Sequence, residues 1–181
     1  MKRKAIVWFR QDLRVHDNEA LFEAINCDDE LLAVYVFDDK FFKNNTQKFG
    51  FRKTGIHRTQ FIIQAVEALR EKLKIHGIDL IVRCGKTEDV IFELAKSYKS
   101  NWVYCNREST YDEVQIQDQL ELKLWSIGQE LRFTRGKMLY YTQDLPFPIT
   151  HTPDNFANFK KEVEKIVPIR VPLMLEEDFT I

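Results

Sequence analysis

The sequence has few glycines and lacks the glycine-rich motifs that bind nucleotide phosphates. Only six of its 181 residues are glycine, and none of them clusters after an apolar run. Such motifs use glycine to let the backbone approach a phosphate, so their absence argues against an ordinary NAD or P-loop site. The Gly-x-Ser-x-Gly elbow of serine hydrolases is also missing. The chain therefore shows no catalytic residues of its own.

Cysteine and histidine are equally sparse. The three cysteines are Cys27, Cys84 and Cys105, and each stands beside an apolar run. An odd count without a close pair predicts reduced, buried thiols in a cytoplasmic protein. The four histidines have no metal-ligand spacing with one another or with the cysteines, so we predict no metal site.

The sequence also lacks an excess of either charge and lacks a long hydrophobic run. Its 27 basic and 28 acidic residues leave a net charge of -1. Affinity for nucleic acid needs clustered positive charge, so we do not expect the chain alone to bind DNA. The basic residues at 2–4 precede only a short apolar stretch, which predicts neither a signal peptide nor a membrane span.

What the sequence does contain is a regular alternation of strand and helix patterns. Short apolar runs predict strands at residues 5–9, 31–37, 80–82, 102–105 and 131–134. Helical patterns lie between them, with Asp17 and Thr87 as predicted N-caps. Right-handed crossovers then predict an α/β fold, a Rossmann-like open parallel sheet of five strands in the order 3-2-1-4-5, with helices on both faces.

The regular alternation of strand and helix patterns ends after Gly136. We therefore predict an α/β domain at residues 1–135 and an extension at residues 136–181. Residues 138–141 are predicted to be a short extended piece. An amphipathic helix is predicted at residues 153–167, with Phe156, Phe159 and Val163 on one face.

Charged side chains follow the predicted strands where a parallel sheet binds its ligands. Arg10 and Asp12 come directly after the first strand, and Asp38 ends the second. Arg58 stands at the start of the longest helix, where it and backbone N–H groups would serve a polar or acidic ligand. Because the carboxyl ends of the strands meet at one edge, we expect these residues to lie together. The alternative is that the charged run at residues 8–18 is a solvated loop with salt bridges.

Glu108 follows the fourth strand, which neighbours the first across the switch point of the sheet. We expect Glu108 to face an open cleft near Arg10 and Asp12. A carboxylate there would accept two parallel hydrogen bonds from a heterocycle with adjacent ring N–H and amine donors, as in pterins. The alternative is a solvated loop charge. Phe41 and Phe42 are predicted to pack against the domain rather than to stack on a ligand.

The order of residues 8–18, Trp-Phe-Arg-x-Asp-Leu-Arg-x-His-Asp-Asn, resembles the opening signature of the photolyase/cryptochrome family. Residues 36–38 and 58–61 also resemble short motifs of that family and follow in the same order along the chain. Residues 139–147 and 153–164 resemble the corresponding elements of DASH-type cryptochromes. Two positions depart from that pattern, Tyr141 in place of histidine and Lys160 in place of arginine.

This resemblance implies a two-domain flavoprotein that repairs pyrimidine dimers with light or senses blue light. Its α/β domain can hold an antenna chromophore, and its helical domain holds FAD and the damaged DNA. Only the first domain would be present here, with the helical domain as partner and DNA bound only through it. By resemblance, Glu108 matches the acid that holds a methenyltetrahydrofolate antenna. Arg10, Asp12, Asp38 and Arg58 match the pocket of deazaflavin or flavin antennas.

These are two different sites, and the sequence does not choose between them. A rival hypothesis is a free-standing Rossmann-like protein that binds a nucleotide, a flavin or a partner without light chemistry. A reading frame that continues into a long helical region would distinguish the two hypotheses.

Overall fold

The computed structural model describes residues 2–43 and 50–175. A five-stranded sheet in the order 3-2-1-4-5 forms its centre, and every neighbouring pair of strands is parallel. The predicted fold class is confirmed. The strands are β1 (Lys4–Phe9), β2 (Glu30–Asp38), β3 (Leu80–Gly85), β4 (Trp102–Asn106) and β5 (Glu130–Thr134).

Helices cover both faces of the sheet. The helices are α1 (Glu19–Cys27), α2 (Asp39–Phe42), α3 (Ile56–Ile75), α4 (Thr87–Tyr98), α5 (Tyr111–Trp125) and α6 (Phe156–Ile166), with a short 3-10 turn at Ile149–His151. Residues of α1 and α3 pack in one core cluster, and residues of α4 and α5 pack in the other. This arrangement follows from right-handed crossovers that run in opposite directions from the middle of the sheet.

The central strand β1 supplies both cores. Ala5, Val7 and Phe9 point to the α1/α3 side, whereas Ile6 and Trp8 point to the α4/α5 side. Successive side chains of a strand alternate between faces, so a strand buried on both faces needs apolar residues throughout. This is why the apolar run of β1 is continuous in the sequence.

Two helix starts differ from the predictions. Asn18, not Asp17, caps α1, and its side chain accepts a hydrogen bond from the backbone N–H of Leu21. Asp17 instead adopts a left-handed conformation, with φ 50°. Thr87 is the first residue of α4, and its N–H donates to the carboxylate of Asp38 at 2.9 Å. The cap of α4 therefore comes from another strand, which local spacing does not reveal.

The cysteines and the segment after β5 also depart from expectation. Cys105 is buried as predicted, but Cys27 is half-buried and Cys84 is exposed. Cys84 lies on β3 at the edge of the sheet, where fewer neighbours cover a side chain. Residues 138–140 form bends, and no strand is present at residues 138–141, where an extended piece was predicted.

The segment after β5 returns to the sheet domain. Asp17 and Leu173 exchange two hydrogen bonds, from the Asp17 N–H to the Leu173 carbonyl and from the Leu173 N–H to the Asp17 carboxylate. Leu175 packs against the α1/α3 core, and Val163 is the buried residue of α6. The boundary at residue 135 stays a prediction. Within residues 2–43 and 50–175, no helix combines the length and apolarity needed to cross a membrane.

Truncating a core leucine of α5 tests the packing of the α4/α5 face. Leu120 is fully buried and Leu122, two residues on, is 62% exposed. Leu120→Ala is expected to lower the free energy of unfolding by about 2–5 kcal/mol, because it removes apolar contacts and leaves a cavity. Leu122→Ala is the control, with a change within about 0.5 kcal/mol. Urea denaturation measures both, and equal losses would contradict this packing.

Candidate functional site

A cavity of about 250 Å³ opens at the carboxyl ends of β1 and β2. We call it the aromatic cavity. Its lining includes four aromatic side chains and two cations, Trp8, Tyr35, Phe41, Phe42, Lys53 and Arg58. Its position matches the place where open parallel sheets bind ligands. Small-molecule sites usually measure about 300–1,000 Å³, so this one suits a planar ring system better than a whole dinucleotide.

Aromatic contacts hold one wall of the cavity. Phe37 packs edge-on against Tyr35 at 5.0 Å and against Phe42 at 5.1 Å between ring centroids. Phe41 packs against the α4/α5 core, as predicted, and it also lines the cavity together with Phe42. Burial raises the pKa of Tyr35 to about 12, against a weaker opposing effect of Arg58. The Tyr35 hydroxyl therefore stays neutral well above physiological pH.

Arg10 lines the cavity but is bound within the protein. Only 7% of it is exposed, and its guanidinium lies over the Trp8 ring at 4.3 Å from the centroid. It donates to the side-chain oxygen of Gln117 and to the carbonyls of Asn106 (3.4 Å) and Glu113 (3.2 Å). Desolvation lowers the pKa of Arg10, while nearby groups, including Glu113, act in the opposite direction. Arg10 thus shapes the wall of the cavity through fixed hydrogen bonds.

Asp12 is not among the residues that line the aromatic cavity, and its role in holding a ligand stays a prediction. It is 2% exposed and lies inside the turn after β1. Its carboxylate accepts hydrogen bonds from the Arg10 N–H at 2.8 Å and from the side-chain amides of Asn18 and Asn106. These three donors satisfy the buried carboxylate from within the protein, so Asp12 stabilises the turn after β1.

Asp38 and Arg58 do line the cavity. The two oxygens of Asp38 accept from the backbone N–H groups of Lys40 (2.7 Å) and Thr87 (2.9 Å). The Asp38 carboxylate therefore caps both α2 and α4, and the positive end of each helix dipole stabilises its negative charge. Arg58 is exposed on the first turn of α3. Three of the predicted pocket residues, Arg10, Asp38 and Arg58, are thus brought to one cavity.

An ion-pair cluster lies beside the cavity, because one of its members, Lys53, lines the cavity wall. Asp112, at the start of α5, pairs with Lys53 at 2.6 Å and with Lys40 at 2.9 Å. These two hydrogen-bonded cations lower the pKa of the Asp112 carboxyl. The pairs join α2 and the segment before α3 to α5. The sequence carries no signal for this cluster because its members lie far apart along the chain.

Glu108 does not face an open cleft, contrary to expectation. It is 4% exposed, and one carboxylate oxygen forms an ion pair with Lys137, which lies just after β5. The other oxygen, Oε1, is buried without a hydrogen-bond partner among the described residues. Burial raises the pKa of Glu108, and the hydrogen bond with Lys137 acts against that rise. Whether Glu108 holds a ligand stays a prediction.

Gln117 connects the two predicted sites, and the sequence analysis missed it. Its side-chain oxygen accepts from Arg10 and from the Glu108 N–H (2.7 Å), and its amide donates to the Glu108 carbonyl (3.3 Å). Gln117 is 2% exposed between the buried positions Ile116 and Leu120. The sequence could have indicated Gln117, because it is a polar residue at a core position of an amphipathic helix.

The described residues hold no group of three or more His, Cys, Asp or Glu placed to bind a metal ion.

Comparison with protein-family models matches residues 5–175 to the DNA photolyase family. The blue-light photoreceptor PHR2 of Arabidopsis thaliana is 42% identical over 166 residues, which are 92% of this chain and 37% of the relative. Cryptochrome DASH of Synechocystis sp. is 39% identical over 160 residues, 88% of this chain and 32% of the relative. The chain thus spans about a third of these relatives.

Two solved structures, a cryptochrome and a photolyase, also match nearly the whole chain. A Synechocystis cryptochrome superposes with a TM-score of 0.92 at 36% identity, over 98% of this chain and 37% of that one. An archaeal photolyase from Sulfolobus tokodaii, described with two FAD molecules and a novel light-harvesting cofactor, superposes with a TM-score of 0.78 at 26% identity. That match covers 96% of this chain and 37% of the photolyase.

Replacing Gln117 tests the network between the two predicted sites. Gln117→Leu leaves the Glu108 N–H and one Arg10 donor without their acceptor, so stability is expected to fall by about 1–3 kcal/mol. Gln119→Leu, at an exposed position of the same helix, is the matched control. Thermal unfolding followed by circular dichroism measures both, and an unchanged Gln117→Leu would show that the network contributes no stability.

The burial of Tyr35 predicts a loss of stability at high pH. Its pKa is about 12 in the folded protein and about 10 when unfolded, so its contribution is complete below about pH 10. That contribution, up to about 3 kcal/mol, is lost progressively as pH rises from about 10 through about 12. Tyr35→Phe is expected to lose less stability over this range, measured by urea denaturation. Tyr111→Phe, at a side chain that is 77% exposed, should behave like the parent.

Proposed function

Because the chain belongs to the DNA photolyase family, we propose that it is the α/β domain in which a DASH-like cryptochrome or photolyase holds an antenna chromophore. When bound, such a chromophore absorbs near-ultraviolet or blue light and passes the excitation to a second chromophore. The helical FAD domain is the proposed partner. Light-driven dimer repair or blue-light sensing would belong to the longer protein, because this chain spans about a third of its relatives.

The observation that carries this proposal is the aromatic cavity at the carboxyl edge of the sheet. Tyr35, Phe41 and Phe42 provide the apolar and aromatic surface that a flat ring system needs. Lys53 and Arg58 add positive charge at the same cavity, which suits the polar edge or the anionic substituent of a flavin or deazaflavin. The archaeal photolyase with two FAD molecules supports a flavin-type antenna.

A pterin antenna on Glu108 is the second candidate. The observation in its favour is the buried Oε1 of Glu108, which has no hydrogen-bond partner among the described residues. A carboxylate with one unsatisfied oxygen fits the paired donors of a pterin better than the single ammonium of Lys137 does. Methenyltetrahydrofolate would therefore bind only after Lys137 moves.

DNA binding is proposed to come from the partner domain. With a net charge of -1, the chain offers no surplus of cations for phosphate contacts. Family membership also favours this function over a free-standing nucleotide-binding protein. A cytoplasmic location stays a prediction.

A flavin titration tests the proposed function. The chain is expected to bind flavin mononucleotide or 8-hydroxy-5-deazaflavin, with quenching or a spectral shift of the ligand fluorescence. Phe41→Ala removes an aromatic contact at the cavity, worth about 0.5–1.5 kcal/mol, so it should weaken binding about two- to twelvefold.

Phe61→Ala is the control for this titration. Phe61 is 69% exposed and does not line the cavity, so its loss is expected to leave the affinity unchanged. Equal weakening by both variants would argue against the aromatic cavity as the site. Failure of the parent chain to bind either ligand would overturn the flavin assignment.

A further inference from the structure

A second cavity, of about 580 Å³, lies where the segment after β5 returns to the sheet domain. We call it the linker cavity. Its walls come from the loop after β1 and from residues 136–141 and 169–173, with Arg14, Asp17, Lys137, Met138, Tyr141 and Arg170 among its lining residues. It is distinct from the aromatic cavity, because the two share no lining residue.

Most polar groups around the linker cavity are already paired. Arg170 forms a bidentate pair with Asp144 at 2.6 and 2.9 Å, and its guanidinium lies 4.0 Å from the Tyr141 ring centroid. The Tyr141 hydroxyl donates to Glu19 at 2.9 Å. Arg14 donates to the carbonyls of residues 16, 17 and 136. These contacts hold the walls, and Asp17 and Asp144 offset the charges of Arg14 and Arg170.

Lys137 and Glu108 differ from the rest. Lys137 lines the linker cavity, and its ammonium pairs with the buried carboxylate of Glu108, which is not itself a lining residue. The Lys137 side chain is 34% exposed, whereas that of Glu108 is 4% exposed. The ammonium pairs with one carboxylate oxygen only, and the buried Oε1 is left unpaired. A buried, unsatisfied acceptor is costly, so this site can accept a further donor.

We propose that Lys137 is a specificity-determining residue that closes Glu108 to ligands of the linker cavity. Its ammonium holds the place that a ligand donor would take on the carboxylate. A planar ligand with two adjacent N–H donors, such as a pterin, would satisfy both oxygens and displace it. The inference rests on the proposed function, because it concerns how Lys137 affects pterin binding at Glu108, the second candidate site.

The chemistry of the two side chains explains why this pairing can be replaced. An ammonium is a compact charge on a flexible stem, and water solvates it well. A half-exposed lysine can therefore turn towards solvent. A planar pair of donors matches the two carboxylate oxygens as parallel hydrogen bonds, which a single ammonium on one oxygen does not. Competition from Lys137 should weaken a pterin without excluding it.

Titration with freshly prepared methenyltetrahydrofolate tests the inference in the intact chain. Lys137→Met is expected to bind it about tenfold more tightly than the parent, since no ammonium competes for Glu108. Combining Lys137→Met with Glu108→Gln should remove that gain, because the carboxylate is then absent. Lys161→Met, at an exposed lysine of α6, is the matched control and should leave the affinity unchanged.

Circular dichroism and the flavin titration show whether each variant is folded. If Lys137→Met does not fold, Lys137→Gln replaces it, because an uncharged amide competes for the Glu108 carboxylate more weakly than the ammonium does. Equal or weaker pterin binding by the folded Lys137 variant, or a gain that survives Glu108→Gln, would overturn the inference. Failure of the parent chain to bind flavin would overturn only the flavin assignment, because that assignment rests on the aromatic cavity and not on Glu108.

Discussion

The side chain of Asn106, at the end of β4, is the junction on which both cavities depend. Its amide donates to Asp12, and its oxygen accepts from the Thr134 hydroxyl at 2.6 Å and from the Gly136 N–H at 3.2 Å. One buried side chain thereby joins the loop after β1 to the chain leaving β5. Gly136 is tightly placed, because a Cβ there would lie 3.3 Å from Glu19. The position of Lys137, the next residue, follows from this junction.

Arg10 and Gln117 extend the junction between the two candidate sites. Arg10 forms part of the aromatic cavity and donates to Gln117, whose amide and oxygen also hold the backbone of Glu108. Buried networks of this kind are stiff because each unsatisfied member would carry a desolvation cost. The two sites are therefore separated by a hydrogen-bonded wall rather than by loosely packed side chains.

Much of the fold and part of the site could be predicted from the sequence. Arg10, Asp38 and Arg58 share one cavity because the ends of parallel strands meet at one edge, a consequence of the strand order. The surroundings of Asp12 and Glu108 could not be predicted in the same way. Two donors of Asp12 are local, but its third donor, Asn106, lies 94 residues away, and the ion-pair partner of Glu108, Lys137, lies 29 residues away. Local spacing records neither of these distant partners.

The sequence by itself determined the order of strands and helices and the two apolar faces of the sheet. These follow from side-chain periodicity and from the handedness of crossovers, which act over short stretches of chain. Only the tertiary structure decided that Asp38 caps α4, that Asp12 stabilises a turn and that Lys137 covers Glu108. A buried polar group takes whichever donor or acceptor the folded chain brings within reach, and that choice depends on packing rather than on neighbouring residues.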